Sequence, residues 1–237
     1  MKRGWMTVVL AAMSPACAVG VGGGGSPIEY TMVAVNAAGA TSAQIAEQVQ
    51  EAGGDFVLVV GPREGTWFGE LASASQLGLS GPAYTDERGL AFLSRLELLG
   101  DTSLVLGTGN AQVQLQDALY QVDEERFLDL MLVNIPTGAD VPAATRSLLE
   151  YIATDVMANA ALVLGIIAPS PAEAQAMDEL LRAAFSTAAE CGGLSHTDQR
   201  AYRIFFGPVA RVRCTDARQL DGPGSPVVAR VSVGLQQ

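Results

Sequence analysis

IEYTMVAVNAAGATSAQIAEQVQEAGGDFVLVVG, residues 28–61, reads as strand, helix, strand. Residues 28–35 are strand-like. Thr41 then stands where a helix N-cap is needed, with Gln44 three places on to complete a capping box. Ile45, Val49 and Ala52 recur at helical spacing, and Gly53 with Gly54 stops the turn. DFVLVVG, residues 55–61, is apolar without alternation, the pattern of a strand covered on both faces. A helix linking two such strands points to an α/β domain.

The pattern repeats downstream with variations. Thr85, followed by Asp86 and Glu87 where a helix dipole favours negative charge, predicts a helix to about Leu99. SLVLGTGN, from Ser103, then reads as a strand and turn. Residues 112–122 and FLDLMLVNIP, joined by DEER, predict a hairpin in preference to one long helix. Asp140, with Pro142 in the first turn, opens a helix that leads into the apolar run ALVLGII, residues 161–167. Ser170, Pro171 and Glu173 form a second capping box, and helical spacing from Met177 to Ala188 predicts a helix ending at Gly192 and Gly193. YRIFF, VARVRCTD and VVARVSV alternate with period two, as antiparallel strands with one wet face do. The expected fold is α/β (or α+β): residues 28–237 form a single domain, a mixed β-sheet with packed helices and an antiparallel C-terminal strand segment.

The N-terminus carries a different message. Lys2 and Arg3 precede an uncharged stretch, Gly4 to Met13, which has the layout of an export signal and falls short of the about 20 apolar residues that span a bilayer. SPACA, residues 14–18, resembles a bacterial lipobox. That resemblance implies residues 1–17 as a signal segment, lipid attachment at Cys17, and residues 18–27 as a Gly-rich tether. Ala18, in place of Asp, implies an outer-membrane destination. The alternative is an ordinary signal-peptidase cut after Ala18, which discards Cys17. Either route leaves Cys191 and Cys214 as an even pair, and a bridge between them closes a loop of about 24 residues worth roughly 3 kcal/mol.

Composition narrows the function classes. A net charge of -11 with 49% hydrophobic and 16% charged residues describes a globular acidic body and argues against nucleic acid as partner. Arg200, Arg203, Arg211 and Arg213 make the C-terminal part locally basic, either as an anion patch or as partners for acids of the body. His196 beside Ser195 and Asp198 lacks the distant-segment assembly of a catalytic triad, and no G-x-S-x-G elbow is present. GTGN, residues 107–110, has Gln112 where a dinucleotide fingerprint needs its third glycine, and GPREGTWFG lacks the Lys-Ser/Thr end of a phosphate loop. No metal motif and no cofactor motif stands out.

A positional argument remains. If the strands at 28–35, 55–61, 103–107 and 161–167 run parallel, the loops after them share one edge, where open α/β sheets take ligands. Those loops carry Asn36, Arg63, Glu64, Trp67, Asn110 and Ser170. Two functions follow as expectations. The first is an exported envelope lipoprotein, held to the membrane by its lipid, whose domain contacts another envelope protein and catalyses nothing. The second is a periplasmic small-molecule-binding or hydrolytic domain that uses this loop edge.

Overall fold

The computed structural model describes residues 26–37, 39–63, 65–84, 88–156, 160–168, 170–191, 202–208 and 210–234. The opening unit forms as its pattern requires. β1 (Ile28–Asn36), α1 (Ser42–Ala52) and β2 (Phe56–Pro62) follow in order, and β1 and β2 are parallel, paired from Met32 with Phe56 to Asn36 with Val60. The Thr41 hydroxyl accepts from the Gln44 N–H at 3.3 Å, while the Gln44 side-chain oxygen accepts from the Thr41 N–H at 3.0 Å. Gly53 closes α1 in the left-handed region with φ 66°.

The chain continues through α2 (Trp67–Ser75), β3 (Gly78–Leu79), β4 (Ala83–Tyr84), β5 (Arg88–Ser94) and β6 (Glu97–Leu106). The hairpin β7 (Val113–Gln121) and β8 (Phe127–Asn134) comes next. α3 (Val141–Asp155), β9 (Ala160–Ile167), α4 (Pro171–Leu181), β10 (Ser186–Thr187), β11 (Tyr202–Gly207), β12 (Val212–Gln219) and β13 (Val227–Val233) complete it. These strands form two mixed sheets. The first has the order β12-β13-β1-β2-β5-β3, with β4 also on β5; the second has the order β10-β11-β9-β8-β7-β6. Each holds one parallel pair, β1 with β2 and β8 with β9, among antiparallel neighbours.

Three apolar layers bind the sheets and helices into an α/β/β/α sandwich. Phe56, Leu58, Phe92, Leu130, Tyr120 and Phe206 meet between the sheets. Ile45, Val49, Phe68 and Leu71 cover the outer face of the first sheet, and Leu148, Met177 and Leu181 that of the second. Strands β2 and β9 therefore lie between a helix layer and a sheet, which explains their unbroken apolar runs.

Four expectations change. The mixed sheet is two sheets packed face to face. The expected helix from Thr85 to about Leu99 is not borne out: residues 88–94 and 97–106 are β5 and β6, while Thr85, Asp86 and Glu87 lie outside the described residues. Leu90 and Phe92 face the inter-sheet layer while Ala91 and Leu93 face the helices, so two-sided burial overrides the local capping signal. The 103–107 segment is not a parallel strand, because it belongs largely to β6, antiparallel to β7 at a sheet edge. The helix from Ser170 ends at Leu181, and the ring of Phe185 fills the space that a side chain at Gly207 would occupy.

One end of the sandwich is closed by covalent and polar ties. Arg126, in the β7–β8 turn of the second sheet, donates to the carbonyls of Ser26 at 2.9 Å and Val233 at 3.5 Å in the first, and pairs with Asp123. A disulfide joins Cys191, after β10, to Cys214 on β12, with Cα atoms 5.6 Å apart. Because the sheets share this base, the C-terminal ends of β1, β2, β8 and β9 emerge together at the opposite end.

Candidate functional site

At that open end the facing edges of the two sheets come together, and the residues they present between them follow from strand alternation. Met32 and Ala34 on β1, Leu58 and Val60 on β2, Leu130 and Leu132 on β8, and Val163 and Ile167 on β9 all face the inter-sheet layer. Two residues further on, the same faces present Asn36, Pro62 and Asn134 at the strand exits, while Ile167 is itself an exit residue. The antiparallel neighbours add their N-terminal ends. Arg88 on β5 is paired with Pro62, and Gln114 on β7 with Asn134. Asn134 donates from its side-chain amide to the Gln114 side-chain oxygen at 3.2 Å. The result is an apolar floor of Val60, Leu132 and Ile167 under a half-buried rim of three amides and one guanidinium. Among the described residues such a rim donates and accepts hydrogen bonds and holds one guanidinium, which suits the oxygens of an anionic or hydroxyl-rich ligand.

Below the rim, fully buried Gln116 is satisfied on both sides. Its side-chain oxygen accepts from the Ala83 N–H at 2.8 Å and its side-chain nitrogen donates to the Gly81 carbonyl, tying β7 to the other sheet.

The residues picked out by position reach the same end but spread over several surfaces. Asn36 lies on the cleft face of β1. Arg63 follows Pro62 in an exposed loop, and Glu64 lies outside the described residues. Trp67 is buried in the helix layer, its indole N–H donating to the Ala40 carbonyl at 3.2 Å. Asn110 is exposed, and its carbonyl accepts from the Asp140 N–H at 2.6 Å. Ser170 caps α4: its hydroxyl donates to the Glu173 carboxylate at 2.6 Å and accepts from the Glu173 N–H at 3.3 Å. Arg88, Gln114 and Asn134 escaped notice because only the strand pairing brings them here.

A cluster of described titratable groups lies on another face. On the outer face of the second sheet the Tyr151 hydroxyl donates to Asp117 at 2.7 Å. Neighbouring Asp129, 3% exposed, has its pKa pushed up to about 9 by burial and by its hydrogen bond with Asp117. The C-terminal arginines are divided between the sheets. Arg203 sits on β11 near Asp178, which itself pairs with Arg182 at 2.6 Å, whereas Arg213 is on β12. Arg200, Ser195, His196 and Asp198 lie outside the described residues, as does Cys17. Among the described residues no group of three or more His, Cys, Asp or Glu is placed to hold a metal ion.

No family model and no curated protein matches the chain. Solved structures do. A Bacteroides thetaiotaomicron protein of the endonuclease/exonuclease/phosphatase family superposes with a TM-score of 0.68 at 12% identity, over 88% of this chain and 99% of that one. A mannosyl-6-phosphatase of the same organism gives 0.65 at 13% identity, over 86% and 99%. TDP2 of D. rerio, complexed with a single-strand DNA product, gives 0.62 at 12% identity, over 86% and 98%. The fold is that of the endonuclease/exonuclease/phosphatase proteins. This corrects the first functional expectation, a domain that catalyses nothing and only contacts an envelope component: the architecture is one on which phosphatases and nucleases are built. The second expectation, a small-molecule-binding or hydrolytic domain used at the strand exits, accords better with it.

Proposed function

We propose that the chain recognises a small phosphate ester in the cleft between its sheets, and that cleavage of that ester is the activity to test. The observation that carries this reading is the convergence of Asn36, Asn134, Gln114 and Arg88 at the strand exits of a fold shared with phosphatases. The amides hold ester and hydroxyl oxygens by hydrogen bonds, and the guanidinium takes the phosphate charge. A small ester is favoured over a nucleic acid by the net charge of -11, which repels a polyanion. Calorimetric titration with mannose 6-phosphate, glucose 6-phosphate and a nucleoside monophosphate, with phosphate release followed in parallel, tests the reading. Saturable binding of at least one, weakened tenfold or more by Asn36→Ala with an unchanged melting temperature, is expected. Failure of all three to bind would overturn it.

The setting we propose is the bacterial envelope, with the domain tethered through Cys17. The Gly-rich stretch before β1 and the Cys191–Cys214 bridge, which suits an oxidising compartment, support this. Detergent partitioning of intact protein and of Cys17→Ser checks it: equal partitioning of the two rejects the anchor.

A further inference from the structure

We infer that this cleft binds its ligand without a divalent cation, an inference that rests on the phosphate-ester reading above. Phosphatases and nucleases commonly place one or two divalent ions between protein carboxylates and the phosphoryl oxygens, and Mg²⁺ in such sites is held through one or two carboxylates. The donor set among the described residues does not fit that role. The four parallel-strand exits present Asn36, Pro62, Asn134 and Ile167: two uncharged amides and two side chains with no donor atom.

The backbone around these exits is closely covered on its helix side. On the helix side of β2, a Cβ at Gly61 would stand 2.7 Å from the Trp67 ring and 3.1 Å from that of Phe68, so α2 packs directly on the strand there. Gly224, in the loop before β13, comes so close that a Cβ there would lie 2.7 Å from the Asn36 carbonyl oxygen, so this loop meets β1 as bare backbone. The described acids near this end sit in the outer helix layers or, as exposed Asp221, in the β12–β13 loop, while Glu64, Asp86 and Glu87 lie outside the described residues. Asp140 accepts from the Ala143 N–H at 3.1 Å, Glu70 from the Ser42 hydroxyl at 2.9 Å, and Glu173 from Ser170. Among the described rim residues the charged one is Arg88, whose guanidinium suits an anionic ligand and not a cation.

Two measurements on the full chain separate this inference from the reading beneath it. Titration with Mn²⁺ alone, followed by water-proton relaxation, is expected to show no saturable site up to about 1 mM; a stoichiometric site lost in Asn36→Ala would overturn the inference, whatever the ligand. Mannose 6-phosphate affinity is expected to change less than about twofold between EDTA and Mg²⁺, and to fall about tenfold in Arg88→Gln with no recovery on adding Mg²⁺. A tenfold loss in EDTA, or rescue of Arg88→Gln by Mg²⁺, would also overturn it. If the ester binds under neither condition, the proposed function falls while the Mn²⁺ titration still decides the inference.

Discussion

Asp129 offers the sharpest test of the packing described above. Its carboxyl is 3% exposed beneath α3, one of its oxygens has no partner, and its pKa is pushed up to about 9 by burial and by the neighbouring Asp117. In the unfolded chain the same group loses its proton near its ordinary value of about 3.9. Between those two values the native state holds one proton that the unfolded state has released, so stability falls as pH rises. The slope for one proton is about 1.4 kcal/mol per pH unit, or roughly 4 kcal/mol between pH 5 and 8. Asn in place of Asp129 keeps an N–H that can donate to Asp117 and cannot ionise. Urea unfolding of both proteins at pH 5, 6, 7 and 8 reads the difference, because titrating groups outside the Asp129, Asp117 and Tyr151 cluster contribute equally to each. The stability of Asp129→Asn relative to wild type should climb steadily with pH and be clearly positive at pH 8. Parallel pH profiles would refute the claim that Asp129 is protonated in the fold.

Reduction of the Cys191–Cys214 bridge, or its replacement by a Cys191→Ser and Cys214→Ser pair, should cost about 3 kcal/mol on the chain-entropy model for a 23-residue separation. Denaturant unfolding with and without reductant checks this, and coincident curves would remove the bridge from the account. Arg126→Ala leaves the Ser26 and Val233 carbonyls and the Asp123 carboxylate without their shared donor, and should cost about 2–3 kcal/mol, roughly 4–12 °C in melting temperature for a domain of this size. Calorimetric melting decides it, and a shift under 2 °C would show that the base of the sandwich does not depend on this residue.

Much of the local structure is legible in single residues. Thr41 with Gln44, Asp140, and Ser170 with Glu173 mark three of the four helix starts where the structure has them, because N-caps act over three residues and owe little to tertiary context; α2, whose Thr66 makes no side-chain cap, has no such mark. The hairpin around Asp123 is equally local: its carboxylate accepts from the N–H groups of Glu125 and Arg126. Sheet membership is another matter. Continuous apolar runs at β2 and β9 say that both faces are covered, but not whether by helices on each side or by a helix and a second sheet. The cleft inherits this ambiguity. Asn36 was accessible because it ends a strand in the opening β-α-β unit; Arg88 and Gln114 begin antiparallel strands whose partners are set by long-range pairing. Residues 85–87 show the converse, a strong local helix signal ahead of a segment that two-sided burial holds in a strand.

Gln116 sets how far anything can enter. It stands two residues below Gln114 on the same face, about 7 Å along an antiparallel strand, and its bonds to Gly81 and Ala83 wall off the β5–β7 side at that level. Seven ångströms is the depth of one sugar ring or one phosphate group and not of a polymer. On the phosphate-ester reading proposed above, the cleft seats only the end of a molecule, and the rest of that molecule lies outside it, across the tops of both sheets.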